Sequence, residues 1–366
     1  MLKQLAHAFL HDRFLHLLLI IAIILSFLVP LRPAEWPGAV DWHTIVTLSG
    51  LLMLTKGVEL SGYFEVLGRR MVKRFASERA LALFLICAAA LLATFLTNDV
   101  ALFIVVPLTI TLRKLCAIPV SRIIIFEALA VNAGSLLTPI GNPQNILLWG
   151  KSGLSFGAFI VQMAPLAALL VASLIVIGWF AFPAKRLTYQ SGDRLREWQP
   201  RLLIASLVMY GIFLAALETG YALAGLAIIA CGFMLLARRV IVTIDWCLLL
   251  VFIVMFIDVY LLTQLPVLQS ALHGIGSLSG IGVYGLGIGL SQFISNVPAT
   301  ILLVNYLPPD KLLAWAVNIG GFGLLPGSLA NLIALRLAGD RRIWWRFHLW
   351  SIPMLLWAAL AGYVLL

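Results

Sequence analysis

Apolar runs of about 20 residues, the length that crosses the hydrocarbon core of a bilayer, recur along the whole chain and are separated by turn-forming or basic clusters. Residues 14–29 predict a first helix leading to Pro30-Leu31-Arg32-Pro33, whose prolines favour a turn. A second helix is expected over 42–66, ending beside Arg69-Arg70. The stretch 80–112 is mainly apolar, interrupted by Thr97-Asn98-Asp99 and basic at both ends. A re-entrant hairpin with that triplet at its tip fits both facts, because one long helix would carry a basic end to the wrong side. The next span, 123–150, is broken by Gly134, Pro139, Gly141 and Pro143, all of which oppose regular helix. Helices over 156–182, 202–218, 222–237 and 245–262 follow, then a second hairpin (281–306), a second broken helix (312–338) and a final helix (347–366). The pattern predicts an all-α polytopic membrane protein with nine crossings and two hairpins. Its expected organisation is an N-terminal repeat over 1–182, a cytoplasmic linker over 183–201 and a C-terminal half over 202–366.

The two halves repeat each other. The first hairpin tip reads Phe95-Leu96-Thr97-Asn98-Asp99-Val100-Ala101 and the second Phe293-Ile294-Ser295-Asn296-Val297-Pro298-Ala299. In the broken helices, Asn132, Gly134, Gly141 and Asn145 recur without a gap as Asn318, Gly320, Gly327 and Asn331. Asp41-Trp42 and Asp245-Trp246 open corresponding helices. The first hairpin is expected to enter the membrane from inside and the second from outside, which makes the repeats inverted. Interrupted hydrophobic segments in corresponding positions of two inverted halves mark the binding site of a transporter.

Composition narrows the class. The chain is 62% apolar and 11% charged, against about a quarter charged in soluble domains, and no stretch remains for a soluble domain. The formal charge of +10 reports topology rather than a nucleic-acid partner. With the N-terminus in the cytoplasm, clusters such as Arg69-Arg70, Arg113-Lys114, Arg238-Arg239 and Arg341-Arg342 fall inside, and only Arg32, Lys151 and Lys311 fall outside. This orientation leaves the C-terminus on the outer side of the membrane. Cys87, Cys116, Cys231 and Cys247 are isolated in or beside apolar segments and read as buried thiols. The histidines, His348 among them, lie near interfaces or loops without metal-ligand spacing, and most of the 11 tryptophans fit interfacial belts. No phosphate loop, nucleophile triad or Cys/His cluster supports an ATP-driven pump or an enzyme, and no cofactor is implied beyond a coupling sodium ion or proton.

The polar residues at the tips and breaks carry the chemistry. Thr97, Asn98, Ser295 and Asn296 offer hydroxyl and amide oxygens, and the breaks at Gly141 and Gly327 free backbone carbonyls, ligands that suit a desolvated sodium ion. Half-helix N-termini suit an anion. Asn98, Asn142, Asn145, Ser295, Asn296, Ser328 and Asn331 are the candidate substrate ligands; Thr97, Asn98, Asp99, Gly141, Asn296 and Gly327 are the candidate cation-binding or coupling positions. The competing reading is that these residues only cap short helices. Asp99 breaks the symmetry, since its counterpart is Val297. Lys56 lies roughly 21 Å into its helix, near mid-membrane, and Asp258 sits at similar depth in the second half. A charge there costs about 2.5–3.5 kcal/mol, so the pair is either functional or a structural Lys56–Asp258 or Lys56–Glu59 bridge. Glu127 and Glu65 are expected close to water.

Thr97-Asn98-Asp99, Thr138-Pro139-Ile140-Gly141-Asn142-Pro143-Gln144-Asn145 and Ser295-Asn296-Val297-Pro298 resemble the signature regions of the ion transporter superfamily. That group includes citrate-metal symporters, arsenite permeases, divalent anion:sodium symporters and one type of sodium/proton antiporter. The resemblance covers nearly the whole chain and is strongest to enterobacterial inner-membrane members of the citrate transporter-like family. It implies a bacterial inner-membrane location, so that the outer C-terminus is periplasmic, with a scaffold and a moving transport domain in each protomer, elevator-type alternating access and often a homodimer. In the dicarboxylate branch both tips read Ser-Asn-Thr, whereas Asp99 and Val297 replace both threonines here. The Thr-Asn-Asp tip resembles the arsenite and sodium/proton branches, which leans towards proton coupling. The expectation is an ion-coupled secondary transporter of a small anion or oxyanion, in contact with membrane lipids. The alternatives are a sodium/proton antiporter and, in another class, a channel or non-transporting structural membrane protein.

Overall fold

A computed structural model describes residues 9–10, 12–29, 33–188 and 198–366. Arg32 and most of the polar part of the expected linker lie outside the described residues. The described chain is all-helical, without a strand, as the apolar pattern requires of a polytopic membrane protein. Among the described residues, five helices have the length and hydropathy to cross a bilayer.

The helices form two compact units, each drawing on both halves of the chain. The first comprises Met1–Tyr63 and Arg196–His273, the second Phe64–Leu195 and Gly274–Leu366. The first unit contains α1 (Arg13–Leu28), α2 (Trp36–Ala39), α3 (Trp42–Leu60), α10 (Pro200–Glu218), α11 (Ala222–Leu236), α12 (Arg238–Thr243), α13 (Trp246–Thr263) and α14 (Pro266–His273). Matching caps start α3 and α13. Asp41 accepts from the backbone N–H of His43 and Thr44, and Asp245 from that of Leu248. The following indoles reach back five residues each, from Trp42 to Pro37 O and from Trp246 to Ile241 O. Glycines let α3 approach its neighbours. A Cβ at Gly50 would lie 2.2 Å from the Phe213 ring, and one at Gly57 would lie 2.5 Å from Ser206 Oγ, so small residues set the α3–α10 spacing.

The expected helix over 42–66 is shorter than its apolar run suggests. It stops at Leu60, before a separate helix α4 (Tyr63–Arg74). Gly62 has φ 79°, a left-handed conformation that a glycine adopts without a steric cost. Beyond it the sequence is amphipathic: Phe64 and Met71 are buried, while Arg69, Arg70, Lys73 and Arg74 share the same short helix.

The second unit contains α5 (Glu78–Phe95), α6 (Asn98–Leu112), α7 (Val120–Ser135), α8 (Pro143–Ser152) and α9 (Phe156–Ala181). From the second half it takes α15 (Gly280–Ile294), α16 (Asn296–Leu303), α17 (Lys311–Ile319), α18 (Leu329–Ala338) and α19 (Ile343–Leu365). Helices α5 and α6 meet at Leu96-Thr97 and both pack on α7; α15 and α16 meet at Ser295 and both pack on α17. The central contacts also follow the repeat, with α6 against α18 and α16 against α8. Backbone proximity again depends on glycine: a Cβ at Gly134 would sit 2.0 Å from Ala90 O, and one at its counterpart Gly320 2.4 Å from Ser291 Cβ.

One expectation about packing needs correction. Cys116 and Cys247 are buried, but Cys87 and Cys231 are exposed on the faces of α5 and α11. Helices in a membrane turn apolar faces to lipid as well as to protein, so an apolar neighbourhood does not imply burial. Trp315, by contrast with an interfacial tryptophan, is fully buried, and its Nε1 donates to Gln162 O.

Candidate functional site

The two helix breaks of the second unit interlock through side-chain amides. Asn132 Nδ2 donates to Asn331 Oδ1 at 2.8 Å, and Asn318 Nδ2 donates to Asn145 Oδ1 at 2.8 Å. Under the repeat, Asn132 corresponds to Asn318 and Asn331 to Asn145, so one contact is the image of the other. Gln144 Nε2 also reaches Asn318 Oδ1 at 3.2 Å, and Asn331 Nδ2 reaches Gly321 O at 2.9 Å. All five side chains are at most 3% exposed.

The first tip is tied to the break of its own half. Asn98 N donates to Gly141 O at 2.9 Å, and Asn98 Nδ2 to Asn142 Oδ1 at 3.0 Å. Asn145 Nδ2 serves the carbonyls of Ser135, Leu136 and Thr138, which the break has released from the helix ladder. Thr94 Oγ1 donates to Gly134 O, and Gln292 Nε2 donates to Gly320 O; each comes from the arm leading to its tip. Gln292 Oε1 further accepts from Leu324 N. Neither Thr94 nor Gln292 was legible as a pair, because they share a position in the repeat but not a side chain.

Capping explains little of this polarity. Thr97, Asn142 and Ser295 stand at the starts of α6, α8 and α16 without a side-chain cap bond. Among the expected tip and break ligands at such positions, Ser328 alone caps, accepting from Ala330 N. Ser295 has φ 73° and ψ 154°, a region essentially reserved for glycine, and is the one non-glycine with positive φ among the described residues. Gly327 is crowded like Gly141: added Cβ atoms would lie 2.6 Å from Gly320 O and 2.3 Å from Ser135 O, respectively.

Several buried acceptors in this unit have no hydrogen-bond partner among the described residues: Asp99 Oδ1, Asn132 Oδ1, Gln144 Oε1 and Glu127 Oε2. Buried polar atoms are ordinarily satisfied, so these oxygens can accept a cation, a proton or a substrate hydroxyl. Glu127, expected near water, is instead wholly buried where α7 packs on α6, and Thr109 Oγ1 donates to its Oε1 at 2.5 Å. Its place early in α7 suggested an interface, but neighbouring helices cover that turn. Glu65, by contrast, lies at 3.5 Å from Lys114. His348 holds the second break: its Nε2 accepts from Leu325 N, and Ser351 one turn on donates to Gly323 O.

The intramembrane charges belong to the first unit. Lys56 pairs with Glu59 at 2.9 Å, both partly exposed, and Asp258 is not its partner. Asp258 is 4% exposed on α13 and neither carboxylate oxygen has a hydrogen-bond partner among the described residues.

Paired tips and breaks of this kind are the arrangement expected of a membrane transporter. A family profile described as citrate transporter matches residues 9–308, and the chain belongs to that family. It is 68% identical over 355 residues to the inner membrane protein YbiR of Escherichia coli, covering 97% of this chain and 95% of that protein. An uncharacterized transporter of Methanocaldococcus jannaschii is 32% identical over 341 residues, covering 91% and 92%. A 46 kDa membrane protein of Mycobacterium leprae is 24% identical over 354 residues, covering 84% and 82%.

Proposed function

We propose that the protein is an ion-coupled secondary transporter that carries a small anion or oxyanion across the inner membrane. The reading rests chiefly on the paired amide contacts between the breaks, Asn132–Asn331 and Asn318–Asn145, flanked by two polar tips. Irregular backbone at membrane depth is tolerated where it is buried or lines a polar cavity, and paired breaks of this kind hold ions and substrates in transporters. Asn98, Asn142, Asn145, Ser295, Asn296, Ser328 and Asn331 supply polar ligands for the substrate, and freed carbonyls with the side-chain oxygens supply the coupling ion. The family description and the name of the Escherichia coli relative support a carboxylate substrate and an inner-membrane location. An inverted arrangement of the halves and elevator motion of the second unit complete the reading, with the N-terminus in the cytoplasm.

A sodium/proton antiporter is the second reading. Asp99 favours it, because Asp99 Oδ1 is buried without a partner at a tip whose counterpart is Val297. An unneutralised carboxylate there repels an anion and attracts a cation.

Purified protein in proteoliposomes separates the two. Uptake of labelled citrate or a smaller oxyanion, driven by either a sodium or a proton gradient, is the expected result. Sodium-dependent collapse of a pH gradient, with no anion uptake under either gradient, would establish the antiporter instead.

A further inference from the structure

Away from the breaks, the second unit carries a cleft of about 570 Å³ lined by Arg113, Arg122 and Arg346 together with Ser121, Leu349 and Trp350. It lies where several helix ends converge. Arg113 follows the end of α6, Ser121 and Arg122 open α7, and Arg346 is in the first turn of α19. Arg122 Nη1 donates to Ala181 O at the end of α9 at 2.6 Å, and its guanidinium lies 5.9 Å from the Phe182 ring, so its orientation is set. Ser121 Oγ donates to Asp340 Oδ2 at 2.7 Å, which ties the α7 start to the turn before α19. That Ser121 bond, then the Arg342 backbone N–H, holds the Asp340 carboxyl below the usual carboxylate range.

Two acidic neighbours, Asp340 and Glu78, offset only part of the charge of the cationic groups around them, Arg113, Arg122, Arg346, Arg342 and Lys185. Asp340 is engaged by Ser121 and feels both Arg342 and Arg346, and Glu78 is shared between Arg122 and Lys185. The same end of the unit also bears Arg79, Lys114, Arg341 and Arg342. Leu349, in the lining, is 73% exposed, and Trp345, one turn before it on α19 and outside the lining, is 81% exposed, so an apolar ridge runs on from the cleft. Cationic donors at helix ends next to an outward apolar ridge match a molecule that is anionic at one end and hydrocarbon at the other.

We propose that this cleft binds the phosphate headgroup of an anionic glycerophospholipid, with Arg113, Arg122 and Arg346 on the phosphate and the acyl chains along Leu349 and Trp350. Basic pockets between membrane helices on the cytoplasmic side bind such headgroups, and the density of basic residues assigns this end to that side. A lipid fits better than a soluble phosphate because the apolar ridge continues directly from the arginines.

The test is native mass spectrometry of the purified full chain in a neutral detergent, titrated with phosphatidylglycerol or phosphatidylcholine. Preferential retention of phosphatidylglycerol is expected. The double variant R113Q/R346Q weakens it about thirtyfold, taking about 1 kcal/mol for each arginine removed. R113K/R346K, which keeps both charges, retains most of the binding and shows that the glutamine variant has not lost it by misfolding. R341Q/R342Q, at the same end but outside the lining, leaves binding unchanged. Equal retention of the two lipids, or equal losses in the R113Q/R346Q and R341Q/R342Q variants, would overturn the site. Displacement of the lipid by glycerol phosphate at the same concentration would overturn the lipid as its occupant.

Discussion

The side-chain amide of Asn132 donates to Asn331 Oδ1 across the two helix breaks, and Asn318, its counterpart, donates to Asn145 Oδ1 at the same 2.8 Å. Each break is therefore held by the other half of the chain. This reciprocity makes the polar centre of the second unit a single structure, and its consequences can be measured.

Asn145 carries the heaviest bonding, with three carbonyls accepting from its Nδ2 and Asn318 donating to its Oδ1. Asn145→Ala strips partners from buried groups that each cost about 1–3 kcal/mol to leave unmade. A drop of several degrees in the melting temperature of the purified protein is expected, and an unchanged melting curve would show that the bracket contributes nothing.

Asn98→Ala and Asn296→Ala are expected to abolish uptake in proteoliposomes while the protein remains monodisperse. Asn98→Ala loses two hydrogen bonds, Nδ2 to Asn142 Oδ1 and Asp99 N to its own Oδ1, about 1 kcal/mol each, which is too little to unfold a chain of this size. Full uptake by either variant removes that tip from the substrate site.

Asp99→Asn keeps the shape of the first tip and removes the charge. Exchange of substrate across the membrane should persist, whereas accumulation driven by an ion gradient should fall to background. Retained accumulation would transfer the coupling role elsewhere.

Ser295 pays a backbone cost at the second tip that a glycine there would avoid. Ser295→Gly is expected to raise thermal stability by about 1 kcal/mol, at the low end of such strain, while uptake falls because the hydroxyl is gone. A variant both less stable and fully active would contradict both parts.

Gly134 and Gly157 form a matched pair of tests. Ala at 134 meets the Ala90 carbonyl at 2.0 Å, whereas Ala at 157 meets nothing within 4 Å. Overpacking of about 1–3 kcal/mol or more is expected at 134, and a neutral or favourable change at 157, where alanine is the better helix former by about 1 kcal/mol. Detergent melting curves of the two variants compare them directly.

The sequence by itself determined the class of protein, the positions of both breaks and tips, and the family, because each depends on local facts: hydropathy at span length, glycine and proline inside apolar runs, and a repeated order of polar residues. It also carried the match between Asp41-Trp42 and Asp245-Trp246, which appears as two equivalent caps. Tertiary structure decided what those residues touch. That Asn132 meets Asn331, that Glu127 is sealed against Thr109, and that His348 supports Leu325 all depend on packing between distant segments. Apolar pattern cannot supply that information in a membrane protein, where the same side chains face lipid and protein. The buried and exposed cysteines differ for the same physical reason: an apolar surround is solvent to one face of a helix and core to the other.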